Sequence, residues 1–201
     1  MAEQTNKPER HAGAELPLFE KIKMVPASLL NHREFFNKIS GGEGIMPALK
    51  FFIVLLVINT VLSAIVSFMT LSLLGSYDLN SIVIISASAG FVASLAGIFF
   101  TSGVVHFIAT RFFAAKETFD KTFNAMSYGM SPYLLLGWIP LVNLIAGVWA
   151  LILSILGLAH FQKISNEKAL VIYVITIIIF LAIYFAIAAM LAPFGYTPSL
   201  I

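Results

Sequence analysis

Long uninterrupted apolar runs dominate the pattern of this chain, in place of strand-like alternation or a one-sided helical stripe. Asp, Glu, Lys and Arg are absent from residues 51–77, 79–110, 122–162 and 169–201. An α-helix needs about 20 apolar residues to cross a hydrocarbon core of roughly 30 Å, so each run is long enough to span a bilayer. The third is too long for one crossing. At about 1.5 Å per residue it would form a rod near 60 Å, and it contains Pro132 and Pro140. The natural division is Gly137-Trp138-Ile139-Pro140. Glycine permits a turn there, proline suits the first turn of the next helix, and tryptophan favours the membrane interface. The pattern therefore predicts five helices, over about 49–74, 82–110, 122–136, 140–161 and 169–191. The fold class expected is an all-α, polytopic membrane bundle.

Charge placement supports five crossings over four. Short loops rich in Lys and Arg stay cytoplasmic, and five crossings put all 12 basic residues on one side. Lys7, Arg10, Lys21, Lys23, Arg33, Lys38 and Lys50 precede the first span; Arg111, Lys116 and Lys121 lie between the second and third; Lys163 and Lys168 lie between the fourth and fifth. The other side receives the loop at 75–78, the Gly137-Trp138 turn and the tail. With four crossings, Lys163 and Lys168 would be stranded outside. The reading is thus a cytoplasmic amino-terminal arm (1–45), a membrane domain (46–192) and an extracytoplasmic tail (193–201).

Composition agrees. The 201 residues are 59% hydrophobic and 11% charged, with a mean hydropathy of +0.94, against roughly 45–50% apolar and 25% charged in soluble domains. The formal net charge of +2 and the absence of a dense basic run argue against nucleic acid as a partner. There is no cysteine, hence no disulfide and no thiolate chemistry. The first twenty residues lack the apolar core of a signal peptide, so the first span is expected to act as the insertion signal. Within the arm, residues 1–15 are polar and expected to be disordered. From Leu16 onward Phe19, Ile22, Met24, Leu29, Leu30, Phe35, Phe36 and Ile39 mix with Lys21, Lys23, Arg33 and Lys38, and Pro26 divides the segment. Two readings stand equal: amphipathic helices in the headgroup region, or a segment packed on the cytoplasmic ends of the bundle.

Lipid supplies no hydrophobic drive between helices, so small residues that allow close backbone approach mark contact faces. The second span has two rows, Ser86, Gly90 and Ser94 beside Ala89, Ala93, Gly97 and Thr101, which predicts a central helix or a homo-oligomer interface. Candidate chemistry is sparse. No catalytic, cofactor or metal motif is present, no carboxylate falls inside a span, and His106 and His160 lie near span ends. The intramembrane polar residues Asn59, Tyr128 and Asn143 are the candidates for a cavity lining; interhelical hydrogen bonding is the plainer role. Pro132 frees a backbone carbonyl near Tyr128. A packed kink and a broken helix lining a cavity both fit that feature.

The residues in the second half resemble those of the Yip family, the membrane domain of Ypt/Rab-GTPase-interacting proteins, and its prokaryotic branch in particular. Tyr128-Gly129 followed by Pro132, then Ile139-Pro140, Trp149, Gly157-Leu158 and Lys168-Ala169 look like that family's third to fifth spans. Arg33-Glu34-Phe35-Phe36, Ile39, Pro47-Ala48 and Phe51 look like the start of its membrane domain. The resemblance covers about residues 30–191. It implies five spans, a cytoplasmic amino terminus and no catalysis; in a prokaryote the membrane would be the inner (plasma) membrane. For eukaryotic relatives it implies binding of prenylated Rab GTPases, but the acidic-aromatic segments they use are not evident in this arm. The functional expectation is a non-enzymatic membrane scaffold or adaptor with a second copy, or a membrane or cytoplasmic protein, as partner. The competing class is a transporter or channel for a neutral solute.

Overall fold

The computed structural model describes residues 16–29, 31–39, 44–73 and 79–191. The expectations for residues 1–15, the loop at 75–78 and the tail at 193–201 lie outside these. Among the described residues the chain is helical throughout, with no strand. The arm forms α1 (Leu18–Lys23), a 3-10 turn (Pro26–Leu29) and α2 (His32–Ile39). The bundle follows as α3 (Met46–Leu73), α4 (Leu79–Phe113), α5 (Phe119–Gly129), α6 (Ser131–Leu136), α7 (Val142–Gln162) and α8 (Asn166–Leu191).

Four helices, α3, α4, α7 and α8, are long and apolar enough to cross a membrane. The third predicted span differs: residues 119–136 form two helices of 11 and 6 residues, split at Met130. The physical reason is Pro132, which has no N–H to continue the ladder. The bonds on either side persist, Met130 N–H to Met126 O at 3.0 Å and Leu134 N–H to Met130 O at 3.0 Å. Pro140 also differs from the expected helix start. It lies in a turn, and α7 begins only after Leu141, whose φ of 69° places it in the left-handed region.

The core sits around α5. Every residue from Thr122 to Gly129 is buried, and α5 meets α3, α4, α6 and α7. At 11 residues α5 is too short to be read as a span by itself, and its sequence (FDKTFNAMSYG) mixes polar with apolar positions. Its closest neighbour is α7. A Cβ on Gly129 would lie 2.5 Å from Ser154 Cα, and one on Gly157 would lie 3.2 Å from the Ala125 carbonyl oxygen and 3.0 Å from the Phe36 ring. These glycines let two backbones approach where any side chain would hold them apart.

The arm is seated on the bundle. Val25, Phe35, Phe36 and Ile39 are buried, and Phe36 stacks on His160 at 5.6 Å and meets Phe161 edge-on at 5.5 Å. Lys21 is 2% exposed, its ammonium 5.8 Å from the centre of the Tyr128 ring, a cation–π geometry. Of the two readings of the arm, packing on the helix ends describes α2. The same end of the bundle carries the described Lys and Arg residues and is laced together by Asn124 Nδ2 donating to Gly44 O at 3.2 Å and by the Lys163–Glu117 ion pair at 2.7 Å.

Gly129→Ala is expected to destabilise the chain in detergent by about 1–3 kcal/mol, the usual cost of overpacking. Gly90→Ala, where an added Cβ meets nothing within 4 Å, should leave the unfolding midpoint unchanged. Equal midpoints for both variants would contradict the close α5–α7 approach.

Candidate functional site

At the half of the bundle away from the basic end, α3 and α4 diverge around a partly open cleft of about 260 Å³. On α3, Asn59, Ser63 and Ser67 recur at the four-residue spacing that aligns side chains on one helical face. Val83, Ser86, Gly90 and Ser94 form the facing wall from α4, and Tyr133 and Leu134 of α6 close one end. Among the described residues, no Asp, Glu, Lys, Arg or His lines it. Asn59 Nδ2 donates to the Tyr133 carbonyl oxygen at 3.4 Å, a long bond, and Ser86 Oγ donates to Val83 O of its own helix at 3.1 Å. Such a lining hydrogen-bonds neutral groups and offers no charge to hold an ion.

The small-residue rows form one side of this cleft. Ser86, Gly90, Ala93 and Ser94 are exposed and Gly97 is half-buried; Cβ atoms built on Gly90 and Gly97 meet nothing within 4 Å. Among the described residues, none packs closely on the rows at these two glycines.

Asn59, Tyr128 and Asn143 do not converge. Asn59 lines the cleft, whereas Asn143 borders a separate hollow with Leu144, Gly147 and Leu151. Tyr128 is 1% exposed, its ring 5.3 Å from that of Phe51 and 6.4 Å from that of Phe161. Tyr133 borders both the cleft and the hollow. It was missed as a candidate, as were Thr60, Ser63 and Ser67; the four-residue spacing from Asn59 was the available signal. Below the cleft, toward the basic end, Phe51, Leu55 and Phe123 are fully buried, so it is blind.

The motif residues act mainly at the α5–α7 crossing. Tyr128 and Gly129 end α5, and Gly157 receives the Phe36 ring. The Tyr128 carbonyl freed by Pro132 accepts the Ser131 hydroxyl at 2.6 Å, so the exposed backbone expected there is satisfied locally and the break is a packed kink. Pro140 sits in the turn before α7. Lys168 stands in the first turn of α8, its N–H donating to Ser165 Oγ at 3.3 Å, an N-cap arrangement. A polar chain that the sequence did not signal joins three helices: Gln162 Nε2 donates to Thr122 Oγ1 at 2.7 Å, and Thr122 Oγ1 lies 3.0 Å from His106 Nδ1.

The sequence matches the family model of the Yip1 domain over residues 27–190. The chain belongs to the Yip1 domain family. No curated protein and no solved structure matches it. The Yip1 domain match begins in the 3-10 turn, so α2 and its seat on α7 belong to the domain together with the membrane helices.

With no native cysteine in the chain, single cysteines report position cleanly. In detergent, Ser63→Cys and Ser86→Cys of this Yip1 domain should react with a small maleimide at least roughly tenfold faster than Ser127→Cys, whose site is 0% exposed and opens only by local unfolding. Equal rates would contradict the cleft as described.

Proposed function

We propose that this Yip1 domain is a non-enzymatic membrane scaffold that associates with a second copy of itself across the α3–α4 cleft. The observation carrying this reading is the exposed face of Ser86, Gly90, Ala93, Ser94 and Gly97, where added Cβ atoms at both glycines meet only open space. In lipid such a face gains from a second helix that approaches closely and hydrogen-bonds the serines. α5 and α6 together act as a third crossing, giving five, with the arm and all Lys and Arg on the cytoplasmic side. Embedded in this way, the domain presents its arm to cytoplasmic partners and its cleft to partners within the bilayer.

Passage of a neutral solute is the reading that the hydroxyl lining alone would favour. The blind end of the cleft and the separation of Asn59 from Asn143 weigh against it.

Replacing Gly90 and Gly97 with leucine adds bulk at two positions where a Cβ meets nothing within 4 Å. Crosslinking between copies in native membranes is expected to fall about tenfold, equivalent to roughly 1.4 kcal/mol of association. Unchanged crosslinking, with the monomer folded as judged by its unfolding midpoint, would remove the self-association proposal.

A further inference from the structure

The basic-end half of α4 differs in character from its small-residue half. Phe99, Phe100, Phe107 and Phe112 lie along it, and with Gly103, Ile175 and Ile179 they line an apolar groove of about 880 Å³ between α4 and α8. The two helices pack against each other, and Phe100 stacks on Phe180 at 5.9 Å. Gly103 opens the floor, since a Cβ there would meet nothing within 4 Å. From Phe99 to Phe112 the groove is about 20 Å long, and one leaflet of hydrocarbon is about 15 Å thick. It therefore matches the depth of an acyl chain in the leaflet at the basic end.

Helical spacing puts one cation on the groove face of each wall, toward the basic end. Arg111 is four residues beyond Phe107 and eight beyond Gly103, on the groove face of α4. Lys168 is seven residues before Ile175 and eleven before Ile179, which puts it on the groove face of α8. Both are exposed, and neither belongs to an ion pair found among the described residues. Glu167 is offset about 100° around α8 from Lys168. An apolar slot of one-leaflet depth, topped by two cations from different helices, is complementary to a lipid with a negative headgroup.

We propose that the α4–α8 groove binds one anionic phospholipid, an acyl chain lying over Gly103 among the phenylalanines and the phosphate held between Arg111 and Lys168. The site is independent of self-association at the α3–α4 cleft, on the other half of α4.

Native mass spectrometry of the detergent-purified full chain, incubated with phosphatidylglycerol or phosphatidylcholine of identical chains, tests it. The wild type should retain one phosphatidylglycerol in preference to phosphatidylcholine by about five- to thirtyfold, the range for one to two basic contacts. Arg111→Gln with Lys168→Gln should abolish the preference while leaving phosphatidylcholine retention unchanged. Gly103→Leu, whose Cβ would meet nothing within 4 Å, should reduce retention of both lipids while the unfolding midpoint is kept. Excess glycerol phosphate should not displace the bound lipid, because it lacks the chain. Equal retention of the two lipids by the wild type, or an undiminished preference in the double variant, would overturn the site.

Discussion

The close approach of α5 to α7 is the contact on which the rest of the structure depends. Gly129 rests against Ser154 and Gly157 against the Ala125 carbonyl and the Phe36 ring, so one crossing joins two bundle helices and the arm. In a bilayer, burial of apolar surface gives helices little reason to associate, and close packing and satisfied polar groups must serve instead. α5 uses both. Its residues from Thr122 to Gly129 are enclosed, and two of its polar side chains reach partners on other elements: Thr122 with Gln162 and His106, Asn124 through its amide nitrogen with the Gly44 carbonyl. The kink at Pro132 is tolerated because Ser131 replaces the missing donor at the Tyr128 carbonyl.

With α5 enclosed, the four long helices surround it, and α4 is the one of them that displays most to its surroundings. Its two halves do so differently. From Ser86 to Gly97 the exposed face is built of serine, alanine and glycine and forms a wall of the hydroxyl-lined cleft. From Phe99 to Phe112 it is aromatic and forms a wall of the apolar groove. A single helix thus offers a surface suited to another helix in one leaflet and a surface suited to an acyl chain in the other. Neither is the core-facing side of α4, which buries Ile98, Ser102, Val105 and Ala109.

Much of this was legible in the residues. Charge-free run length, with the break at Gly137–Pro140, located α3, α4, α7 and α8 to within a few residues, and the resemblance of Tyr128-Gly129, Pro132 and Gly157-Leu158 to the Yip family agrees with the domain match over residues 27–190. The meaning of those motif residues was not legible. Tyr128 read as a lining residue of a cavity but is a core aromatic beneath Lys21. The small-residue rows of α4 read as helix-packing faces, and among the described residues a Cβ added at Gly90 or Gly97 meets nothing within 4 Å. Sequence spacing shows which residues share a face but not whether that face points inward.

The sequence by itself determined that the chain is helical and membrane-embedded, and which of its segments are apolar enough to span, because transfer into lipid depends on each segment's own composition and length. Tertiary structure alone decided that the least apolar of the bundle helices is the centre, that Asn59 and Asn143 lie in separate depressions, and that α4 and α8 pack side by side. Those outcomes depend on which backbones approach closely enough for glycine to matter. That is a property of pairs of helices, and no single segment carries it.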